Sequence, residues 1–248
     1  MVAPAAAPPS HEEVLALLTD SAYNPAIVPQ LEAYAKSQVE TLYLSSGGNG
    51  SYSFDANRTL AKLYQFFPHL ADNSNYSLIM LLTLLEFPST DFSALGCLIP
   101  ERVQETEPAA TLVRCSDLLE QCQFAEFWTT FRPLVLSEEA PELLKSSVAS
   151  PAAVGKLRSS ILSLLASAYR TAPISVVLPA LDMKETSELS NFISGNETTK
   201  GVLETVEGEK VVFCATVNNT KRDRVFKEGV NFAAVSAMIT KGAIAREQ

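Results

Sequence analysis

The sequence predicts a mainly α-helical protein: a HEAT/TPR-like run of helices, then a small winged-helix unit, then a closing helix. Three observations lead there. Apolar residues recur at helical spacing from residue 11 to residue 170, punctuated by proline. Two short helical stretches and a hairpin pattern follow, between 171 and 217. A last amphipathic stretch fills 230–245. With 248 residues the chain can form one large domain or two small ones. Its 47% hydrophobic content excludes disorder of the whole chain.

Residues 1–10, MVAPAAAPPS, carry no basic stretch and no continuous apolar core. They read as a disordered Ala/Pro tail and not as a signal peptide. His11 to Leu18 opens the helical run, 11–170. Asn24-Pro25 starts the next helix, with Asn as cap and Pro at its first position. Leu31, Ala35, Val39 and Leu42 share one face of it. SSGGNGS, 45–51, lacks the GK[ST] of a phosphate loop and reads as a flexible insertion. Leu60, Leu63, Tyr64 and Phe67 form a clean stripe ended by Pro68. Tyr76 to Glu86 is apolar nearly all round, the mark of a central buried helix. Thr90 or Asp91 can cap the following short helix. Leu112, Cys115, Leu119 and Cys122 line the helix after Pro108. Phe124, Phe127, Trp128 and Phe131 cluster on the one that ends near Pro133. Ser137 can cap a short helix through Ser147. Ser150-Pro151 is a strong start signal for a stripe of Val154, Leu157, Ile161, Leu164, Leu165 and Ala168. No fixed repeat period is visible.

After residue 171 the pattern changes. Ile174 to Leu181 and Ser187 to Ile193 read as helices. Gly201 to Glu207 and Lys210 to Val217 read as strands joined at Glu207-Gly208. Helix, helix, hairpin is the winged-helix order, so 171–217 is expected to form that domain. Residues 218–248 then hold a basic connector, TKRDRVFK, and an amphipathic helix carrying Phe232, Val235, Met238 and Ile239.

Chemistry-bearing motifs are sparse. Lys plus Arg number 19 against 28 Asp plus Glu, a net charge of −9. That balance argues against a surface devoted to nucleic acid. Two histidines, His11 and His69, make a His-rich metal site improbable. The four cysteines, Cys97, Cys115, Cys122 and Cys214, form no CxxC. They read as reduced, buried thiols in a cytosolic protein. The pairs Glu12-Glu13 and Glu138-Glu139 read as helix openers that favour the dipole. Four N-x-S/T sequons, at Asn57, Asn75, Asn196 and Asn218, read as chance matches. The longest apolar stretch, Tyr76 to Phe87, is too short to cross a bilayer, which takes about twenty residues. The expected DNA-reading helix, Glu185 to Ile193, carries Glu185 and Glu188 and no Lys or Arg, so no sequence-specific nucleic-acid binding is expected. No cofactor is expected.

Contacts with partners are the remaining role. The strand around Val211, Val212 and Phe213 is expected at a sheet edge, open to pairing with a neighbour. Burial of Phe232, Val235, Met238 and Ile239 would contribute on the order of 6–10 kcal/mol before ordering costs.

The run from Asp117 to Trp128, DLLEQCQFAEFW, resembles the subunit k family of the eukaryotic translation initiation factor three complex. Tyr23-Asn24-Pro25, Leu63-Tyr64-Gln65-Phe66 with Pro68, and Pro88-Ser89-Thr90-Asp91-Phe92 match it in the same order. The resemblance covers about 20–135; beyond about 150 it is one of architecture. The Ala/Pro tail, the 45–51 insertion and the C-terminal third depart from the pattern. The resemblance implies a non-catalytic PCI-type subunit of a large cytoplasmic assembly on the small ribosomal subunit. It implies contact with other subunits of that complex, chiefly subunit l, and no cofactor. A PCI-type subunit of the proteasome lid or signalosome is the nearest rival.

Overall fold

The structure, a computed structural model, describes residues 8–45, 50–196, 199 and 201–220, with 232, 235–237 and 239 near the end of the chain. Helix α1 (His11–Ser21) opens on a reciprocal cap. Ser10 Oγ accepts from the Glu13 N–H at 3.3 Å, and the Glu13 carboxylate accepts from the Ser10 N–H at 2.7 Å. Two of the N–H groups that every helix start leaves orphaned are thereby satisfied. Asn24 caps a single tight turn, Pro25–Ile27, which leads into α2 (Val28–Val39). A wider π turn, Glu40–Leu44, extends α2. The chain returns past it so closely that a Cβ at Gly50 would lie 2.3 Å from Thr41 Oγ1, so only glycine fits there. The expected flexible insertion, 45–51, lies mostly outside the described residues.

Helix α3 (Phe54–Phe66) buries Leu60, Leu63 and Tyr64, as its stripe requires. Helix α4 (Asn73–Leu84) is buried continuously from Asn75 to Leu84. It forms the axis of the helical part and packs on α2 and α3 and on three helices that follow. Those are α5 (Asp91–Gly96), α7 (Ala109–Glu120) and α9 (Glu142–Ala149), with short α6 (Glu101–Gln104) between. Helix α8 (Phe124–Phe131) and the long α10 (Pro151–Ala168) complete the run. Ser150 caps α10 as its sequence signal predicts, accepting from the Ala152 N–H at 3.2 Å, while its hydroxyl donates to the Tyr43 carbonyl.

Several local expectations need correction. Neither Thr90 nor Asp91 caps α5 with its side chain; Ser89 Oγ accepts the Asp91 N–H, and Asp91 instead accepts from the Tyr52 hydroxyl at 2.9 Å. Ser137 caps no helix, because a 3-10 turn, Arg132–Leu136, and a short bend delay α9 to Glu142. Glu138 and Glu139 therefore stand in that bend, exposed. Cys122 leaves the stripe of α7: it sits past the helix end with φ +58° and is exposed.

The C-terminal unit corrects the largest expectation. Strand β1 (Thr171–Pro173) precedes α11 (Ile174–Ala180) and α12 (Thr186–Gly195); β2 (Leu203–Glu207) and β3 (Lys210–Phe213) follow. The three strands form one antiparallel sheet in the order β1-β3-β2. Val211, Val212 and Phe213 therefore lie on the central strand and not at an edge. Three residues, Thr171, Ala172 and Pro173, take the place expected for a partner's strand. Val211 and Phe213 have no exposure at all. β3 also stops at Phe213 rather than Val217. The hairpin turn is Gly208-Glu209, with Gly208 at φ +59° in the first central position of a primed turn.

The open edges differ in chemistry. Phe213 N–H donates to the Arg170 carbonyl (2.9 Å) and Ile174 N–H to the Glu209 carbonyl (2.8 Å). Alternation then turns Thr171 and Pro173 outward on β1. Pro173 has no N–H, so this edge is blunted against strand addition. The outer strand β2 carries no proline; its register with β3 is interrupted between Leu203 and Thr205, and it carries half-exposed Val206.

Candidate interaction surface

Several of the chemistry-bearing side chains, Cys115, Glu13 and His11, take part in packing and capping. Among the described residues no cluster of His, Cys, Asp and Glu could hold a metal ion. Cys115 is buried, and burial pushes its thiol up to about 12, far from a reactive thiolate. Cys97 and Cys122 are exposed rather than buried, and Cys214 is half-buried; all four are free. Glu13 is spent in the cap of α1. His11 Nδ1 lies 2.7 Å from the Tyr34 hydroxyl, in a contact that ties α1 to α2.

The helical run meets the winged-helix-like unit at a built seam. Phe124, Phe127, Trp128 and Phe131 are all buried, so the aromatic cluster is part of the core. Phe127 stacks on Phe131 with centroids 5.1 Å apart, and Trp128 meets Phe127 edge-on at 5.0 Å. Trp128 Nε1 donates to the Ala180 carbonyl at 2.9 Å, across the seam. Arg132 reaches Asp182 through Nε at 3.1 Å and Nη2 at 2.6 Å. Arg158, from α10, donates to the carbonyls of Leu181 (2.7 Å) and Asp182 (2.5 Å). Both guanidinium groups lie over the Trp128 ring, at 5.4 and 5.9 Å from its centroid. Burial pulls the Arg158 guanidinium below its ordinary value, and the charge of Asp182 opposes that. Asp182 itself holds φ +53°, an αL turn that presents its carbonyl to Arg158. A sequence pattern shows none of this, because the partners are about fifty and twenty-four residues apart.

Exposed apolar side chains lie elsewhere. Of the residues expected to make contacts, Phe232, Val235 and Ile239 are helical and exposed, at 88%, 39% and 67%. Met238 and the TKRDRVFK segment after Thr220 lie outside the described residues. Helix α12 opens with exposed Glu185 and Glu188, and the Glu188 carboxylate accepts the Lys184 N–H at 3.1 Å. No helix of the described residues is long and apolar enough to cross a membrane.

A family model described as the CSN8/PSMD8/EIF3K family matches residues 71–197, about half of the 248-residue chain. The chain belongs to the CSN8/PSMD8/EIF3K family. The matched span runs from the start of α4 through α12, so it holds the seam and both helices of the winged-helix-like unit. Curated relatives named "Eukaryotic translation initiation factor 3 subunit K" extend the likeness. The protein of Dictyostelium discoideum is 28% identical over 188 residues, 76% of this chain and 69% of that one. The Anopheles gambiae protein is 34% identical over 107 residues, 43% of this chain and 45% of that one. The human protein is 34% identical over 106 residues, with the same 43% and 45% shares. The match thus spans less than half the length of the human and mosquito proteins.

Proposed function

We propose that this chain is a non-catalytic scaffold subunit of the eukaryotic translation initiation factor three complex. It supports assembly on the small (40S) ribosomal subunit through protein–protein contacts, in the cytoplasm. The observation that carries the reading is the Dictyostelium match. It covers 76% of this chain and joins it to a protein whose name is that of a subunit of this factor. Residues 11–170 serve as the helical-repeat domain, 171–217 as the winged helix, and 218–248 as connector and closing helix. In this reading the buried Cys115 thiol is a core side chain. The acidic start of α12 would repel phosphate, so the winged helix meets protein rather than base edges.

Contacts fall to the closing helix, with Phe232, Val235, Met238 and Ile239, and to the sheet. Because Val211 and Phe213 are buried in β3, the sheet's contribution falls to the exposed Val206 side chain of β2. Subunit l is the chief partner in this reading. The family model also bears the names CSN8 and PSMD8, which favours one second reading, a scaffold subunit of the signalosome or proteasome lid. A tagged chain captured from native cytosol, with its companions identified by mass spectrometry, separates the two. Recovery of factor-three subunits, subunit l foremost, supports the proposal. Recovery of lid or signalosome subunits replaces the complex and keeps the scaffold role.

A further inference from the structure

Ser137, Glu138 and Glu139 each read in the sequence as parts of a helix start, and the fold uses none of them so. The 3-10 turn ends at Leu136 and α9 begins at Glu142, which leaves 137–141 as a bend outside any helix. Buried Leu134 and Ala140 hold the two sides of this bend. Leu136, 83% exposed, and exposed Glu138 and Glu139 stand out from it around half-buried Ser137. The Ser137 backbone is extended, at φ −66° and ψ 126°. Its N–H donates to the Leu134 carbonyl at 3.3 Å, while its hydroxyl has no hydrogen-bond partner among the described residues. The cations closest along the chain are engaged elsewhere, Arg132 with Asp182 and Lys145 with Glu142.

Many hydroxyls elsewhere have structural work. Within helices, Ser21, Ser77, Ser146, Ser147, Ser159 and Ser163 each donate to the carbonyl four residues earlier. Ser10, Ser53 and Ser150 accept backbone N–H groups as caps. Thr90 stands outside a helix and precedes a carboxylate, but that carboxylate, Asp91, accepts from the Tyr52 hydroxyl. Ser137 differs from all of these. Its hydroxyl is free, its backbone is outside a helix, and two exposed carboxylates follow it directly.

Phosphoryl transfer needs an accessible acceptor hydroxyl in line with the γ-phosphate, and a kinase selects among such hydroxyls by the charge pattern around them. Two carboxylates directly after the acceptor suit a kinase whose substrate groove is basic. We propose that Ser137 is a phosphorylation site for an acidic-directed serine/threonine kinase. Ser137 Oγ attacks the γ-phosphorus of ATP, and an Oγ–P bond forms as the bond to the bridging β–γ oxygen breaks. ADP leaves with that electron pair, and the hydroxyl proton passes to the catalytic base of the kinase. The product adds a charge of about −1.5 to −2 at pH 7 and makes three successive anionic side chains at the surface. The inference is independent of the complex to which the chain belongs.

The test incubates the purified full chain with cytosolic extract, ATP, Mg²⁺ and phosphatase inhibitors, and locates phosphate by mass spectrometry. Casein added to the same reaction reports that acidic-directed kinases are active. Ser137 should take phosphate about tenfold faster than any serine within a helix. Glu138→Gln/Glu139→Gln changes two exposed positions and should leave circular dichroism unchanged. It should slow phosphorylation of Ser137 about tenfold. Ser137→Ala should remove that phosphate and no other. Phosphorylated casein beside an unmodified Ser137 overturns the proposal. So does an unchanged rate in the double glutamine variant, because the carboxylates then direct nothing. No partner subunit takes part, so this result and the capture experiment above can fail separately.

Discussion

Trp128 shows how one residue joins two levels of the structure. In the sequence it is the last letter of a string that resembles a family; in the fold its indole N–H crosses the seam to the Ala180 carbonyl while two guanidinium groups cover its face. The hydrogen bond is buried and neutral, whereas the Arg132–Asp182 pair is about two-fifths exposed on both sides. Exposed ion pairs contribute less than about 1 kcal/mol, while a buried carbonyl left without its donor costs about 1–3 kcal/mol. Trp128→Phe should therefore destabilise by about 1–3 kcal/mol in urea unfolding, and Asp182→Asn by less than about 1 kcal/mol. Equal losses would mean that the charges hold the seam. The cysteines give a second residue-scale expectation. Cys115, lifted to about 12 by burial, should resist iodoacetamide at pH 8 in the folded protein, while exposed Cys97 reacts. Rapid loss of both thiols together would contradict the burial of α7.

At the scale of elements, what was legible follows from how local each signal is. The stripes of α3 and α10, the all-round apolarity of α4 and the Ser150 cap are written within a few residues, and the sequence shows them. Ser137 caps no helix because a 3-10 turn, with Leu134 buried, precedes it and α9 starts only at Glu142. Strand β1 failed because Thr171-Ala172-Pro173 has no alternation to read; only its pairing with β3 makes it a strand. Missing those three residues turned a central strand into an apparent edge, and with it Val211 and Phe213 into apparent contact residues. The seam was invisible for a like reason: its bonds join residues about fifty and twenty-four apart in the chain. Since α4 is the axis of the helical run, Ile79→Ala should cost about 2–5 kcal/mol and lower the urea midpoint. A loss well under 1 kcal/mol would show that α4 is not the core.

At the scale of the whole molecule, stability should depend on pH on the alkaline side. Burial raises the Tyr76 hydroxyl from 10.0 to about 12 and the Cys115 thiol from 9.0 to about 12, and lifts Tyr43, Tyr52 and Tyr64 as well. The folded values lie above the unfolded ones, so this contribution is fully present below about pH 9. As pH rises from about 9 to 12, the unfolded chain ionises first and the contribution is lost. The urea midpoint should be flat from pH 7 to 8.5 and fall beyond 9; a midpoint constant to pH 11 would contradict the buried tyrosines. The same molecule, acidic overall and belonging to the CSN8/PSMD8/EIF3K family, is proposed to act only as part of something larger. That claim is tested most directly by sedimentation of native cytosol on a sucrose gradient, with the chain followed by antibody. The account expects it to sediment with initiation factor three and, in part, with the small ribosomal subunit. Recovery wholly at the top of the gradient, as a lone chain of 26.8 kDa, would contradict it.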